Sequence, residues 1–494
     1  MTSFQQPTVD WAALTPELIL LGGSALCLVL ALFLPWGWRR PFSGTVAALC
    51  FVAAAVVAGV LFAQDDSARG IVADALQRDR LAELAQILVA GSGLLAVGAS
   101  VGWERDERTR VGEYYALLLS AAAGMSFFVA ASNLMTLFLG LEWFSISLYV
   151  LCAIAVDSLP SLESGLKYLI VGSFGSAILL FGSAFVYGAT GAIGYADIAS
   201  AAGDADRVIF VLGLALVLVG LAFKMSAAPF HMWTPDVYQG APTPVTAFMS
   251  AATKVAALVG TMRLLTTAFP SEARLWTIAL AVIACISLAW GNVAALVQTD
   301  IKRLLAYSSI SHAGFLLIPV AVGTPLGGRA LLFYLVSYAA MSVGSFAVVA
   351  ARERELARPL TFDGLAGLGW ERPALGLAMS LFMFGFIGLP PAGLFLGKFY
   401  AFSAAVDRGW TWLAIVGVLA TVISIYYYAG VIGAMYFRRS IEVRVAPAGG
   451  SPPQDPALSA SVLGAVVVTI GAFIAAGPLL DVARDAVSSL GFPH

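Results

Sequence analysis

Lys224-Met-Ser-Ala-Ala-Pro229-Phe-His231-Met-Trp-Thr-Pro235 and Gly388-Leu-Pro390-Pro391-Ala-Gly393-Leu-Phe-Leu-Gly397-Lys398 are the two stretches whose reading decides the fold. Each lies within an apolar run of more than 30 residues, and each combines proline with lysine. Proline removes a helical donor and clashes with the preceding turn, so both runs predict a helix that breaks. In a bilayer, broken backbone persists where protein buries it or where it lines a wet cavity. A lysine at such depth costs a few kcal/mol or more and marks a working position.

The surrounding composition fits a membrane. The chain of 494 residues is 60% hydrophobic and 11% charged, with a mean hydropathy of +0.90. Windows of about 20 apolar residues, the length of one bilayer span, recur along nearly its whole length. Short alternating segments, the mark of a β-barrel, are absent from the sequence. The fold class expected is therefore an all-α polytopic membrane protein forming one transmembrane domain. The net charge of −2 gives no footprint for nucleic acid. The first apolar run, Glu17 to Trp36, has no basic region before it and reads as a retained span.

Fourteen spans are expected, over 17–36, 42–63, 81–103, 113–131, 133–156, 164–188, 207–239, 243–268, 275–298, 304–323, 330–350, 374–405, 411–437 and 460–482. The seventh and twelfth are the long, proline-broken ones. Broken helices five spans apart predict two five-helix repeats, 110–268 and 275–437. Five is odd, so the second copy would be inverted, as in many transporters. Residues 1–109 and 458–494 would supply peripheral helices. One set of loops carries 14 of the basic residues and the other 8, which places the richer set in the cytoplasm and both termini outside. Residues 445–457 form the one low-complexity loop.

Lysine usage is selective. The chain has five lysines against 22 arginines. Lys167, Lys224, Lys254 and Lys398 fall in apolar spans, and Lys302 reads as a loop residue. Arginine keeps its charge at any accessible pH, whereas a lysine in apolar surroundings can lose its proton. That distribution points to a proton path. Glu142, in the middle of span five, is read as the carboxylate that pairs with a lysine. The plainer reading is a neutral carboxyl bonded to backbone. Lys224 is either a titrating group or a cation neutralising carbonyls at the first break. Lys254 has no neutralising neighbour in the sequence, and Lys398 repeats the pairing of lysine with a broken helix. Lys167 can snorkel or pair with Glu163 four residues earlier. His312 can shuttle protons or be simply hydrogen-bonded. His231 can cap the break or join the path, and Arg263 reads as a snorkelling residue. Cys27, Cys50, Cys152 and Cys285 are too scattered for a zinc or iron–sulfur site and read as small hydrophobes.

Phe223–Pro242, Asp300–Gly314 and Gly388–Tyr400 together resemble the antiporter-like subunit N of bacterial NADH–quinone oxidoreductase, respiratory complex I. The resemblance covers roughly residues 110–440. It implies a proton-translocating subunit of that translocase in the bacterial inner membrane, working with other membrane-arm subunits, lipid and internal water. It implies that Glu142 pairs with Lys224, that Lys254 links onward to Lys398, and that Lys167 and His312 lie on the central axis. FMN, iron–sulfur clusters and quinone would belong to partner subunits, with no cofactor in this chain. Trp143-Phe144-Ser145 after the glutamate departs from the smaller or more aliphatic residues that the resemblance implies. The alternative is a subunit of a multi-subunit cation/proton antiporter, which shares the fold.

Overall fold

A computed structural model describes residues 9–64, 68–72, 75–103, 110–438 and 455–492. Its helices are α1 (Thr15–Phe33), α2 (Trp36–Gln64), α3 (Arg80–Ser100), α4 (Val111–Val129), α5 (Leu134–Cys152), α6 (Leu159–Thr190), α7 (Tyr195–Ala201), α8 (Arg207–Lys224), α9 (Thr234–Gly240) and α10 (Thr243–Ala268). After a 3-10 turn follow α11 (Ala273–Ala295), α12 (Ile301–Val322), α13 (Pro325–Leu356), α14 (Phe362–Leu365), α15 (Leu368–Glu371), α16 (Pro373–Ile387), α17 (Gly393–Asp407), α18 (Thr411–Phe437), α19 (Pro456–Ile474) and α20 (Ala476–Val487). Two short strands, β1 (Arg69–Gly70) and β2 (Gln77–Arg78), pair antiparallel before α3. Residues 445–454 of the low-complexity loop, Arg105, Arg108, Arg439, Arg444 and His494 lie outside the described residues.

The helices begin where short polar side chains can accept from a free first-turn N–H. Asp79, Asn133, Asp206, Asp300 and Thr324 do so for α3, α5, α8, α12 and α13. Among the described residues, thirteen helices are long and apolar enough to cross a membrane. The twelfth run is divided into α16 and α17, each of 15 residues, and the pair makes the fourteenth crossing. The seventh run is α8 followed by α9. The order of neighbours repeats around the two breaks. In each case two helices lead to a 32-residue helix, α6 or α13, then to the broken helix and one more long helix.

Burial sorts the helices. α10, α12 and α13 are enclosed on nearly all sides, whereas only about a third of each of α1, α2, α18 and α19 is buried. The enclosed helices carry Lys254, Lys302 and His312 and many of the buried serines, so these polar side chains meet protein and not lipid. Small residues let them pack tightly. A Cβ at Gly260 of α10 would stand 2.3 Å from the Phe128 ring on α4.

Three expectations change. The fourteenth span ends at Ile474, not 482: the chain turns at Ala475 into the amphipathic α20, which buries Leu480, Ala483 and Ala486 and exposes Arg484 and Asp481. A hydropathy window merges the two because the apolar side of α20 continues the run. Arg263 does not snorkel. It is 1% exposed, and its Nη2 and Nη1 donate to Oδ1 and Oδ2 of Asp79 at 2.5 and 2.7 Å. The partner comes from the start of α3, 184 residues away, which no local pattern reveals. Lys302 is not a loop residue but a buried one in the first turn of α12.

A buried ion pair is strongly destabilising when only one member is removed, by about 3–5 kcal/mol. Arg263→Met should therefore lower the thermal unfolding midpoint of the purified protein sharply. Adding Asp79→Asn, which keeps the cap on α3, should recover much of the loss. An Arg263→Met protein as stable as the wild type would show that the pair holds nothing together.

Candidate functional site

Both breaks leave helix C-termini inside the protein. The last carbonyls of a helix have no intrahelical donor and carry the negative end of its dipole. At the first break, between α8 and α9, Lys254 Nζ donates to the carbonyl of Met225 at 2.9 Å. At the second, between α16 and α17, Lys398 Nζ donates to the carbonyls of Phe386 and Ile387 at 2.9 and 3.0 Å, and to Thr421 Oγ1 at 3.4 Å. Its ammonium also lies 4.1 Å from the centre of the Phe315 ring. Each break is thus closed by a buried ammonium. The structure gives the carbonyl-capping role to Lys254 and Lys398, not to Lys224.

Lys224 is the last residue of α8, immediately before the carbonyl that Lys254 holds. Its Nζ donates to Ser145 Oγ at 2.6 Å and to Tyr168 OH at 3.2 Å, and sits 4.4 Å from the Phe144 ring centre. Ser145 in turn donates to the carbonyl of Leu141. Glu142 and Lys224, expected to pair, make no hydrogen bond with each other, although their charges lie within electrostatic reach. Ser145, three residues further along α5, takes the ammonium instead, and Oε1 of Glu142 is buried with no hydrogen-bond partner. The Phe144-Ser145 pair that departed from expectation is what receives the lysine.

Between the two breaks runs a chain of hydroxyls. Ser250, one turn before Lys254, pairs with Ser342 at 2.7 Å. Tyr338 OH donates to the Ser250 carbonyl at 3.4 Å and pairs with Ser309 at 3.1 Å. Ser308 pairs with Tyr428 at 2.5 Å, and Tyr428 reaches His312 Nε2 at 3.1 Å. His312 Nδ1 pairs with Tyr334 OH at 2.7 Å. His312 stands within electrostatic reach of both Lys254 and Lys398, and Phe386, whose carbonyl holds Lys398, stacks on Tyr428.

Lys167 stands apart from this row. It is half-buried near one end of α6, where it pairs with Glu163 at 2.7 Å and Asp236 at 2.8 Å. Arg303 on α12 reaches the other oxygen of Asp236 at 2.7 Å, and Lys302 Nζ donates to the Ala241 carbonyl at 2.7 Å. These three cations fasten α9, the second half of the first broken helix, to α6 and α12. Asp236 thus accepts from Lys167 and Arg303 at once, one on each oxygen. His231 lies in the break with Nδ1 buried and unpartnered. Among the described residues, no group of three or more His, Cys, Asp or Glu could hold a metal ion.

The family model described as NADH:quinone oxidoreductase/Mrp antiporter, TM, matches residues 131–424, which contain both breaks and all six candidate residues. The NADH-quinone oxidoreductase subunit N of Trichlorobacter lovleyi is 46% identical over 74% of this chain and 76% of its own length. That of Granulibacter bethesdensis is 38% identical over 98% and 100%. The chain belongs to the subunit N family of NADH-quinone oxidoreductases. A chain of respiratory complex I from Thermus thermophilus, solved with bound aureothin, superposes with a TM-score of 0.78 at 31% identity, covering 94% of this chain and 98% of that one. The membership agrees with the resemblance carried by the Lys224 and Lys398 stretches.

Reading the sequence as that of a subunit N relative brings Lys224, Lys254, His312 and Lys398 to the site but misses its hydroxyls. Tyr334 and Tyr338 are four residues apart on α13, which puts both on one helix face, and Tyr168, Tyr428, Ser308 and Ser309 lie within apolar spans. Hydroxyls recurring at helical spacing in such spans are the signal that could have found them.

Gly388 makes the second break possible. Its φ is +92°, and a Cβ there would stand 3.0 Å from Cδ of Lys398. Gly388→Ala should cost about 1–2 kcal/mol in backbone strain and push the ammonium off the Phe386 and Ile387 carbonyls. Activity per expressed complex should fall well below that of Gly433→Ala on α18, where an added Cβ meets nothing within 4 Å. Equal activity in Gly388→Ala and the wild type would mean that the lysine's seat is not tightly set.

Proposed function

We propose that this chain is a proton-translocating membrane-arm subunit of an NADH-quinone oxidoreductase and performs no bond chemistry itself. Its relatives bear that name, and its interior carries ammonium groups at the carbonyl ends of two broken helices, with hydroxyls and a histidine between them. That last arrangement carries the reading. Ionisable groups at such depth are costly and by default mark ion or proton pathways.

Glu142 is the input. A change in its charge acts on Lys224 across one turn of α5, through Ser145. Lys224 and Lys254 share the first break, so a proton leaving one favours charge on the other. The Ser250–Tyr338–Ser309 contacts, Ser308, Tyr428 and His312, with intervening water, carry it toward Lys398, the terminal donor. Lys167, with Arg303, acts as the fastening of α9 through Asp236. Electron transfer stays in partner subunits, which would hold FMN, iron–sulfur clusters and quinone. Shifts of charge along the membrane arm then drive Glu142.

The two five-helix repeats are assigned to 110–268 and 275–437, flanked by the peripheral 1–109 and 458–494. The chain spans the bacterial inner membrane, with both termini on the outer side. The family description also covers Mrp antiporters. Relatives named for the oxidoreductase and aligned along nearly the whole chain favour the first reading.

Topology is checked by cysteine labelling. A single cysteine between 356 and 361 in an otherwise cysteine-free chain should resist impermeant thiol reagents added outside. Ready external labelling there would reverse the orientation. The path is checked at Lys398. Lys398→Arg keeps the charge but cannot release a proton at accessible pH. It should assemble the complex and lose most of its quinone-dependent NADH oxidation and proton uptake in membrane vesicles. A wild-type rate and stoichiometry in Lys398→Arg would remove Lys398 from the path.

A further inference from the structure

Lys224, Lys254, His312 and Lys398 are each 4% exposed or less. A proton that travels along so enclosed a row must first reach it from water. One cavity brings buried ionisable groups to the surface. It measures about 340 Å³ and lies where α5 passes to α6, α9 passes to α10, α12 begins and α13 ends. Four charged residues line it. Arg354 donates to the carbonyls of Ala99 and Val101, and Arg358 is exposed. The other two are Lys302 and Glu353. Lys302 is 6% exposed. Glu353 accepts from Thr243 Oγ1 and from the backbone N–H of Leu360, and lies within electrostatic reach of Lys302. A carboxylate in a polar cavity thus stands beside a buried ammonium.

The far side of Lys302 leads inward. Its Nζ donates to the Ala241 carbonyl at 2.7 Å. Three residues earlier on α9, the hydroxyl of Tyr238 is buried and makes no direct hydrogen bond, although it faces Ser309 and Tyr338 of the row. Thr234 Oγ1, one turn before Tyr238, is buried and unpartnered as well. Cys152 lies within electrostatic reach of Lys302, Lys224 and Tyr238, so these three groups gather around one buried point. Buried hydroxyls without a protein partner are places where ordered water is held, and such water bridges polar groups too far apart to bond directly.

A second cavity on the same face supplies the contrast. It measures about 1000 Å³, lies between α11, α14 and α18, and touches Tyr427. Its charged residues, Asp363 and Arg438, are both more than half exposed and pair at 3.6 Å. The Tyr427 hydroxyl already donates to Asn292 Oδ1 at 3.0 Å. This cavity is lined by no buried ammonium or carboxyl.

We propose that the Lys302–Glu353 cavity is a proton inlet, with Lys302 as its gate. The proposal rests on the proton-translocating reading and on the face assigned there to the cytoplasm. Lys302 Nζ gives one proton to water beside Tyr238, and regains one from the Glu353 carboxyl, which is recharged from the cavity. No electrons move. The water beside Tyr238 serves Ser309 on one side and Lys224 on the other. An ammonium has three donors, so the amine left after one proton departs still bonds the Ala241 carbonyl and keeps α9 fastened.

The test uses the intact complex in sealed vesicles with the NADH-oxidising face outward, and reads protons translocated per NADH. Lys302→Arg keeps the charge and a donor for Ala241 but cannot release a proton. It should assemble and lose as much of the ratio as Lys398→Arg does. Tyr238→Phe should lower the ratio in the same direction. Ser158→Cys places a thiol in the cavity wall. A membrane-impermeant methanethiosulfonate added outside should lower the ratio of Ser158→Cys relative to the untreated sample, with the wild-type complex treated in parallel to correct for other cysteines. A wild-type ratio in Lys302→Arg beside a lowered one in Lys398→Arg would overturn the inlet and leave the path standing. Wild-type ratios in both would overturn inlet and path together. Should Lys302→Arg fail to assemble, the thiol block decides: no change on treating Ser158→Cys overturns the inlet.

Discussion

An α-helix that stops inside a bilayer leaves carbonyls with no partner, and everything at the centre of this molecule is arranged around two such ends. In water those groups would be hydrated. Between packed helices they need a donor, and an unpaired polar group there costs on the order of a few kcal/mol. Here the donors are the ammonium groups of Lys254 and Lys398. The carbonyl end and the cation each solve the other's problem. The open helix end lowers the cost of burying charge, and the charge lowers the cost of breaking the helix.

Other features follow from keeping these two seats dry but connected. Helices α10, α12 and α13 must be enclosed, so they carry small residues where they touch, as at Gly260 against Phe128. Their polar side chains then face each other and pair in two groups between the breaks, Ser250–Tyr338–Ser309 and Ser308–Tyr428–His312. The loose half of the first broken helix has to be held. Lys302, Arg303 and Lys167 hold it from two neighbouring helices. The first break is also fixed from the opposite half, where Ala228 N donates to Ser287 Oγ at 2.8 Å. A movement at one break is therefore felt at α11 and α12.

Much of this was legible in the sequence because proline and buried lysine are rare events with direct physical meaning. Span eight at 243–268 and span thirteen at 411–437 coincide with α10 and α18. Both breaks fall where the prolines put them. What was not legible depends on contacts between residues distant in sequence. Arg263 looked like a snorkelling residue because its partner, Asp79, lies 184 residues away. Lys302 looked like a loop residue because Asp300 marks a helix start, and nothing local shows that Ala241 will cover it. The Glu142–Lys224 pairing was expected from the resemblance. The structure gives the ammonium hydrogen bonds to Ser145 and Tyr168, with Glu142 within electrostatic reach.

The central claim is that the cations seated on the helix ends exchange protons during turnover and do not merely neutralise carbonyls. The most direct measurement is the number of protons translocated per NADH oxidised by Lys254→Arg in sealed vesicles, at matched complex content. Arginine keeps a donor for the Met225 carbonyl, so assembly should survive while the ratio falls below that of the wild type. An unchanged ratio at full turnover would contradict the account and leave Lys254 as a structural cap on the first break.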